Sequence, residues 1–469
     1  MVDNDRLEAY PTGKIIYGLD DRPPTLKAIA LAFQHVLTMF GSTVAVPLML
    51  GPPMGMDTPA IALLISSVML CSGIATLIQS TYGSRLPIIQ GVSFSFLTAF
   101  FLIISEIHPE GETVTAGAAM PYIAGAIIVG AFFEILIGFS GLMGLVRRIL
   151  SPVVVGPVIM LIGLSLYQVG APVAASYWPI SILTMILIVT FSFVLARYSL
   201  IFRMFPMLLA ILVSVGACVL CSQIGVFGPE HKARPDLSAF EQAKWFRVTD
   251  VVFPWGLPKF RLGFIIAVFA GYLASMIESF GDYHACKQMA GGGDPTPEEI
   301  SRGIGCEGIG CALTGVFGGF SSTSYSENIG LIGLTRVGSR YVVQIGAVML
   351  ILLGLFGKFG ALAAAIPTPV VGGLYCSMFG LISAVGIRQF ARADLSSDRN
   401  LFIGGFALFM GISVPYYFAN GGSELVSATF ANGLADAINS IGHTGMAVAA
   451  ILGIVLDNVI PGTKQERGL

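Results

Sequence analysis

Three carboxylates stand where acids are rare. Glu278 and Asp282 fall inside the apolar run 262–290, and Glu327 follows the serine-rich stretch Phe320-Ser-Ser-Thr-Ser-Tyr-Ser326. Four residues separate Glu278 from Asp282, so on a helix they share one face. Glu278 lies 16 residues after Leu262, about 24 Å along a helix and therefore past its middle. A charge at bilayer depth costs several kcal/mol and is a functional candidate by default. Three acids around one cavity, with no Lys or Arg among them, can take and release a proton or hold a cation. The plain alternative is a vestibule that Glu278 or Asp282 merely hydrates. His35, beside Gln34 in Ala32-Phe-Gln-His-Val-Leu, is a weaker candidate, since a lone histidine is more often a packing residue. Glu134 and Glu307 read as interhelical hydrogen-bond partners, Lys358 as snorkelling or paired with an acid, and Asp457 as solvated at the inner interface.

These residues need a bilayer around them. Hydrophobic residues make up 55% of 469 and charged residues 11%, with mean hydropathy +0.82, against roughly 25% charged in soluble domains. One soluble core could not hide so much apolar surface. The net charge of −2 provides no field to recruit nucleic acid. Seven cysteines lie mostly in apolar stretches, and Cys218-x-x-Cys221 alone resembles a metal or redox motif. No nucleophile–base pair or metal-ligand set is visible, so neither an enzyme nor a cofactor is expected. The polar start, Met1–Thr25, has no cleavable signal pattern, so the first apolar segment should be retained.

A span takes roughly 20 apolar residues, which predicts fourteen: 27–50, 59–79, 88–105, 117–139, 150–170, 178–197, 205–225, 262–290, 303–319, 320–339, 341–366, 369–391, 399–418 and 444–461. With both termini inside (1–26 and 462–469), 18 of 25 basic residues fall in inside segments. Six others lie in the long outer loop 226–261, where the positive-inside rule is relaxed. An odd miscount would scramble that pattern. Ser151-Pro-Val-Val-Val-Gly and Thr368-Pro-Val-Val-Gly-Gly open the fifth and twelfth spans. Seven spans apart, they would be inverted copies, a common carrier architecture with its site at the repeat interface; two proline-started helices would look the same.

The third and tenth spans, also seven apart, do not read as plain helices. Gln90-Gly-Val-Ser-Phe-Ser-Phe96 alternates with period two, as a short strand does. The serine-rich stretch is too polar for lipid. Extended backbone at membrane depth needs partners, and two such segments could pair with each other. The half-helices that follow would start near the midplane, with free N–H groups converging there. Phe94 would lie opposite Glu327, able to stack on a planar ring. A serine-rich loop dipping between helices without a ligand is the alternative.

Four motifs in order make the sequence similar to the nucleobase–ascorbate transporter family, or xanthine/uracil permeases, from about residue 23 to 461. They are Gln34-His35, Ser93-Phe94, Glu278-Ser-Phe-Gly-Asp282-Tyr, and Glu327-Asn328-Ile-Gly330-Leu-Ile-Gly-Leu-Thr335-Arg336. The resemblance implies an all-α polytopic membrane protein with fourteen spans in two inverted seven-span repeats, and short strands in spans 3 and 10. It implies a core (27–139 and 262–366) that moves against a gate (150–225 and 369–461), and a homodimer. By the same resemblance Glu278 and Glu327 hydrogen-bond the substrate, with contacts near Ser93, Phe94 and Ser326. Asn328 buttresses the site, Asp282 and His35 join Glu278 in coupling, and Gln34, Gly330, Thr335 and Arg336 support it. Glu at 327 matches uracil-type and plant-like members, where the ascorbate branch has Pro. Carboxylates accept ring N–H groups and would repel anionic ascorbate, so a nucleobase with proton symport is expected. Gly281-Asp282-Tyr283 and Val337-Gly-Ser-Arg340 instead look like the animal ascorbate branch, with Asp282 as a sodium contact.

Overall fold

The computed structural model describes residues 15–108, 115–247, 250–423, 426–427 and 432–468. Residues 1–14 of the 1–26 tail therefore lie outside the described residues. Helices dominate. The first group is α1 (Thr25–Leu50), α2 (Thr58–Thr81), α3 (Leu97–Ile107), α4 (Met120–Phe139) and α5 (Met143–Ile149). Next come α6 (Pro152–Ser165), α7 (Tyr167–Ala174), α8 (Trp178–Val189), α9 (Leu200–Met204), α10 (Pro206–Gln223) and α11 (Ser238–Gln242). The rest are α12 (Leu262–Met289), α13 (Pro297–Val316), α14 (Ser326–Thr335), α15 (Arg340–Leu355), α16 (Gly357–Ala364), α17 (Thr368–Phe390), α18 (Asp398–Tyr417), α19 (Asn432–His443) and α20 (Gly445–Val459). Among the described residues, 9 helices are long and apolar enough to cross a bilayer, or 10 if α19 and α20, bent by 96°, count as one.

Packing sorts the helices. α4 lies along α13, and α2 along α15 and α16, with α1 and α12 beside them. Elsewhere α17 packs on α6, α7 and α8, and α18 packs on α20 and α6. The two proline-started segments meet directly. A Cβ on Gly156, early in α6, would strike Phe390 at the end of α17, and one on Gly372 would strike the backbone of Ala174. The helices thus run antiparallel, and only glycine lets their backbones come so close.

Between α2 and α3 lies β1 (Gln90–Val92), and between α13 and α14 lies β2 (Ser322–Ser324). They pair antiparallel, with Gln90 opposite Ser324, Gly91 opposite Thr323 and Val92 opposite Ser322. Ser93 N donates to Ser321 O (2.9 Å) and Tyr325 N to Ile89 O (3.0 Å), extending the ladder at both ends. All six strand residues are buried. Each backbone thereby supplies the partners that lipid cannot.

Several boundaries and surface readings need correction. α13 begins at Pro297, not 303, because Thr296 and Glu299 form a capping box (Thr296 N to Glu299 Oε2 2.6 Å, Glu299 N to Thr296 Oγ1 3.2 Å). α19 occupies a stretch read as loop. Among the described residues Lys358 pairs with no acid. Its ammonium donates to the carbonyls of Phe240 and Glu241 and sits 4.9 Å above the Phe240 ring. Asp457 is not solvated. Its side chain is 0% exposed, 3.0 Å from Arg399 Nη2 and 2.7 Å from Arg467 Nη2, and Ser151 Oγ donates to it at 2.7 Å. The chain after α20 folds back and seals it. Removing that charge leaves two guanidiniums without their anion, so Asp457→Asn should destabilise the folded state by about 3–5 kcal/mol. A thermal melt of the detergent-purified variant checks this, and a midpoint equal to wild type would refute it.

Candidate functional site

The strand ladder fixes where α3 and α14 begin. After β1, Ser93 caps a 3₁₀ turn, Phe94–Phe96, its Oγ accepting from Ser95 N at 3.2 Å, and α3 follows. After β2, α14 starts at Ser326 with no side-chain cap. Both starts therefore lie beside the ladder; at the second, Asn328 N donates to Tyr325 O at 3.2 Å.

α12 faces this point with two stripes of polar residues. Ser275, Ser279 and Tyr283, each four apart, turn toward α13. Ser275 Oγ and Ser279 Oγ donate to Glu307 Oε1 at 3.2 and 2.7 Å, and Tyr283 OH donates to Oε2 at 2.8 Å. Gln79 Nε2 donates in turn to Tyr283 OH at 2.5 Å. Ser279 also touches β2, accepting from Ser324 N at 3.3 Å. Glu307 is thus the interhelical hydrogen-bond partner the sequence suggests, and it braces the ladder. Glu134 differs. It is 0% exposed, and neither carboxylate oxygen has a hydrogen-bond partner among the described residues.

The second stripe is Glu278 and Asp282. Ser326 Oγ donates to both Asp282 oxygens, at 2.8 and 3.0 Å, which ties the start of α14 to α12. Glu327 is exposed at the ladder's end, and its Oε1 accepts from Ser42 Oγ at 3.3 Å. Asn328 is buried and holds α14 against α1, with Nδ2 2.9 Å from His35 O and 3.1 Å from His35 Nδ1. Glu278 is half-buried and has no hydrogen-bond partner among the described residues. The charges acting on it are Glu327 and Glu307, both acids. Glu278 and Glu327 thus stand near the meeting point of two helix starts, with no cation paired to either among the described residues.

A family model described as Permease family matches residues 26–420. The chain belongs to the nucleobase–ascorbate transporter family, the xanthine/uracil permeases. Solute carrier family 23 member 2 of Homo sapiens is 38% identical across 97% of this chain and 76% of its own length. Nucleobase-ascorbate transporter 2 of Arabidopsis thaliana is 35% identical across 97% and 90%. The transmembrane domain of a cyanobacterial bicarbonate transporter, BicA, superposes with TM-score 0.53 at 13% identity, covering 94% of this chain and 99% of that one. The murine solute carrier 26 family member A9 anion transporter, in its inward-facing state, gives 0.64 at 10%, covering 94% and 69%. These two share the fold. The protein is an integral membrane transporter.

Within this nucleobase–ascorbate transporter, the motif residues do not all converge. Glu278, Asp282, Ser326, Glu327, Asn328 and His35 come together. Ser93 is buried at the ladder's edge. Phe94 is half-buried and packs against both the cluster around Phe96 and Phe100 and the one around Val154 and Ala274. Gln34 is half-buried, with Oε1 unpaired among the described residues. Gly330 has open space where a Cβ would be. Thr335 and Arg336 end α14, far from Glu327: Thr335 Oγ1 donates to Leu331 O at 2.9 Å, and Arg336 is the left-handed cap at φ 56°. Sequence reasoning missed Ser42, Thr43 and Tyr325, which carry no unusual signal of their own.

Proposed function

We propose that this transporter imports a nucleobase of the uracil or xanthine type by proton symport. The observation that carries the reading is the Glu278 carboxylate, with no hydrogen-bond partner among the described residues, on the helix that Asp282 and Ser326 tie to the start of α14 beside Glu327. Uracil and xanthine present ring N–H donors that two carboxylates accept. Backbone N–H groups near Ser93, Phe94 and Ser326 meet the ring carbonyls, and Phe94 stacks on the ring. Asn328 and His35 hold α14 and α1 together, while Asp282, in the grip of Ser326, links proton occupancy to the position of α14. Gln34, Gly330, Thr335 and Arg336 support that frame.

In this reading fourteen spans form two inverted seven-span repeats with both termini inside the cell membrane. Core helices (27–139 and 262–366) carry the site past the gate (150–225 and 369–461), and two gates pair as a homodimer. The ladder supports it by joining the two inverted halves back to back. A second reading, a sodium-coupled ascorbate carrier, draws on the relatives named nucleobase-ascorbate transporters and on Gly281-Asp282-Tyr283, with Asp282 as the sodium contact. Radiolabelled uracil, xanthine, urate, adenine and ascorbate, offered with and without sodium and an uncoupler, separate the two. Uracil or xanthine uptake that an uncoupler collapses and choline replacement spares is expected. Sodium-dependent ascorbate uptake would overturn the proposal in favour of the second reading.

A further inference from the structure

At the end of the molecule where α1 and α15 begin and α2 ends, a cavity of about 350 Å³ opens. Arg22, Arg85 and Arg340 line it, and Asp20 is the acid in its lining. Arg340 pairs with Asp20 at 2.6 Å. The other two guanidiniums have no carboxylate partner among the described residues. Arg22 lies 5.5 Å over the Tyr341 ring, and Arg85 Nε donates to Thr81 O at 3.2 Å. Gln344 Nε2 reaches Thr81 Oγ1 at 3.1 Å, completing a wall of donors. Among the described residues, the lining therefore carries two net positive charges.

Two apolar stripes lead away from that cavity. On α1, Leu26, Ile29 and Phe33 are exposed, at the spacing of one helix face. On α15, Tyr341 and Gln344 line the cavity, and Val348 and Leu352, further along the same face, are exposed. α1 and α15 pack together through Ala28, Ala32, Val342 and Ile345, and both stripes begin at the cavity. A phosphate held by the arginines would have two hydrocarbon tracks running from it into the bilayer. We infer that this cavity binds the headgroup of an anionic phospholipid, with its acyl chains along Leu26–Phe33 and Val348–Leu352. Basic pockets between membrane helices take such headgroups, each arginine near the surface contributing about 1 kcal/mol. The site is separate from Glu278 and Glu327 and does not depend on what the transporter carries.

The test uses the full-length protein purified in a neutral detergent. Its melting temperature is followed while phosphatidylglycerol, phosphatidylcholine or inorganic phosphate is added. Phosphatidylglycerol should raise the midpoint at concentrations where the other two do not. An Arg22→Gln/Arg85→Gln double variant should need about thirtyfold more phosphatidylglycerol for the same rise. The Arg22→Lys/Arg85→Lys pair should keep most of the response, which separates lost charge from lost folding. Equal shifts with phosphatidylcholine, or an undiminished response in the Gln pair, would overturn the site. A shift reproduced by inorganic phosphate would overturn the lipid and leave a small-anion pocket.

Discussion

Glu278→Gln should cut nucleobase uptake at least a hundredfold while the protein stays in the membrane at its wild-type level. The substitution keeps volume and helix propensity, so α12 should fold as before. What changes is the polarity of the contact: a carboxylate offers acceptors only, whereas an amide turns N–H groups toward a ring N–H. A hydrogen bond to a charged group contributes about 1.5–3 kcal/mol, and the unpaired donors left behind add a desolvation cost of similar size. Together these exceed two decades in kcat/KM, and sites built to hydrogen-bond a substrate reject mismatched partners steeply. Glu327→Gln should behave similarly with a smaller loss, because the α14 start and Ser42 still position the residue. Asp282→Asn serves as the contrast. Ser326 Oγ can still donate to the amide oxygen, so the ladder should hold while uptake loses its response to an uncoupler. Wild-type uracil and xanthine uptake by both Gln variants would remove the acceptor pair from the mechanism.

The acids were legible in the sequence because a charge inside an apolar run has few innocent explanations. The strand-like segments were legible because period two in 90–96 and a run of serines in 321–326 are wrong for lipid-facing helix. Their partners were not legible. Ser42 meets Glu327 across 285 residues and Thr43 meets Tyr325 across 282, and a single serine or threonine in a span carries no mark of such a contact. Glu307 was read rightly as an interhelical partner, but its position midway along α13 did not show that Ser275, Ser279 and Tyr283 converge on it from α12. The α13 start was a signal overlooked: Thr296-Pro-Glu-Glu299 spells its capping box, but counting apolar residues cannot see a helix that begins before the apolar run. Asp457 was misread because closeness to the inner interface says nothing about a tail that folds back and delivers Arg467.

The ladder itself rests on Gly91. Its neighbour across the pair is Thr323, and two residues later the Tyr325 ring presses against the Gly91 backbone, so that a Cβ there would lie 2.4 Å from Cζ. That ring is 4% exposed and cannot swing away freely. Its hydroxyl donates to Val92 O at 3.0 Å and accepts from Thr43 Oγ1 at 3.3 Å, pinning β1, β2 and α1 at one point. Gly91→Ala must therefore expel the ring or part the strands. Overpacking costs about 1–3 kcal/mol, and each hydrogen bond lost adds about 1 kcal/mol. The larger effect is on geometry. α14 follows β2 with Tyr325 between them, so parting the strands moves Ser326 and Glu327 relative to Glu278, and about 1 Å of misplacement can cost a hundredfold in rate. Gly91→Ala should thus lose uptake about a hundredfold and lower the melting temperature. Gly91→Ala/Tyr325→Leu, which makes room for the methyl, should regain the folded protein and part of the uptake. It should not regain all of it, because the hydroxyl that joins Val92 to Thr43 is gone. Uptake at the wild-type level in the single variant would mean that the ladder yields without disturbing the acids, and that Glu278 and Glu327 are aligned by α12 and α1 alone.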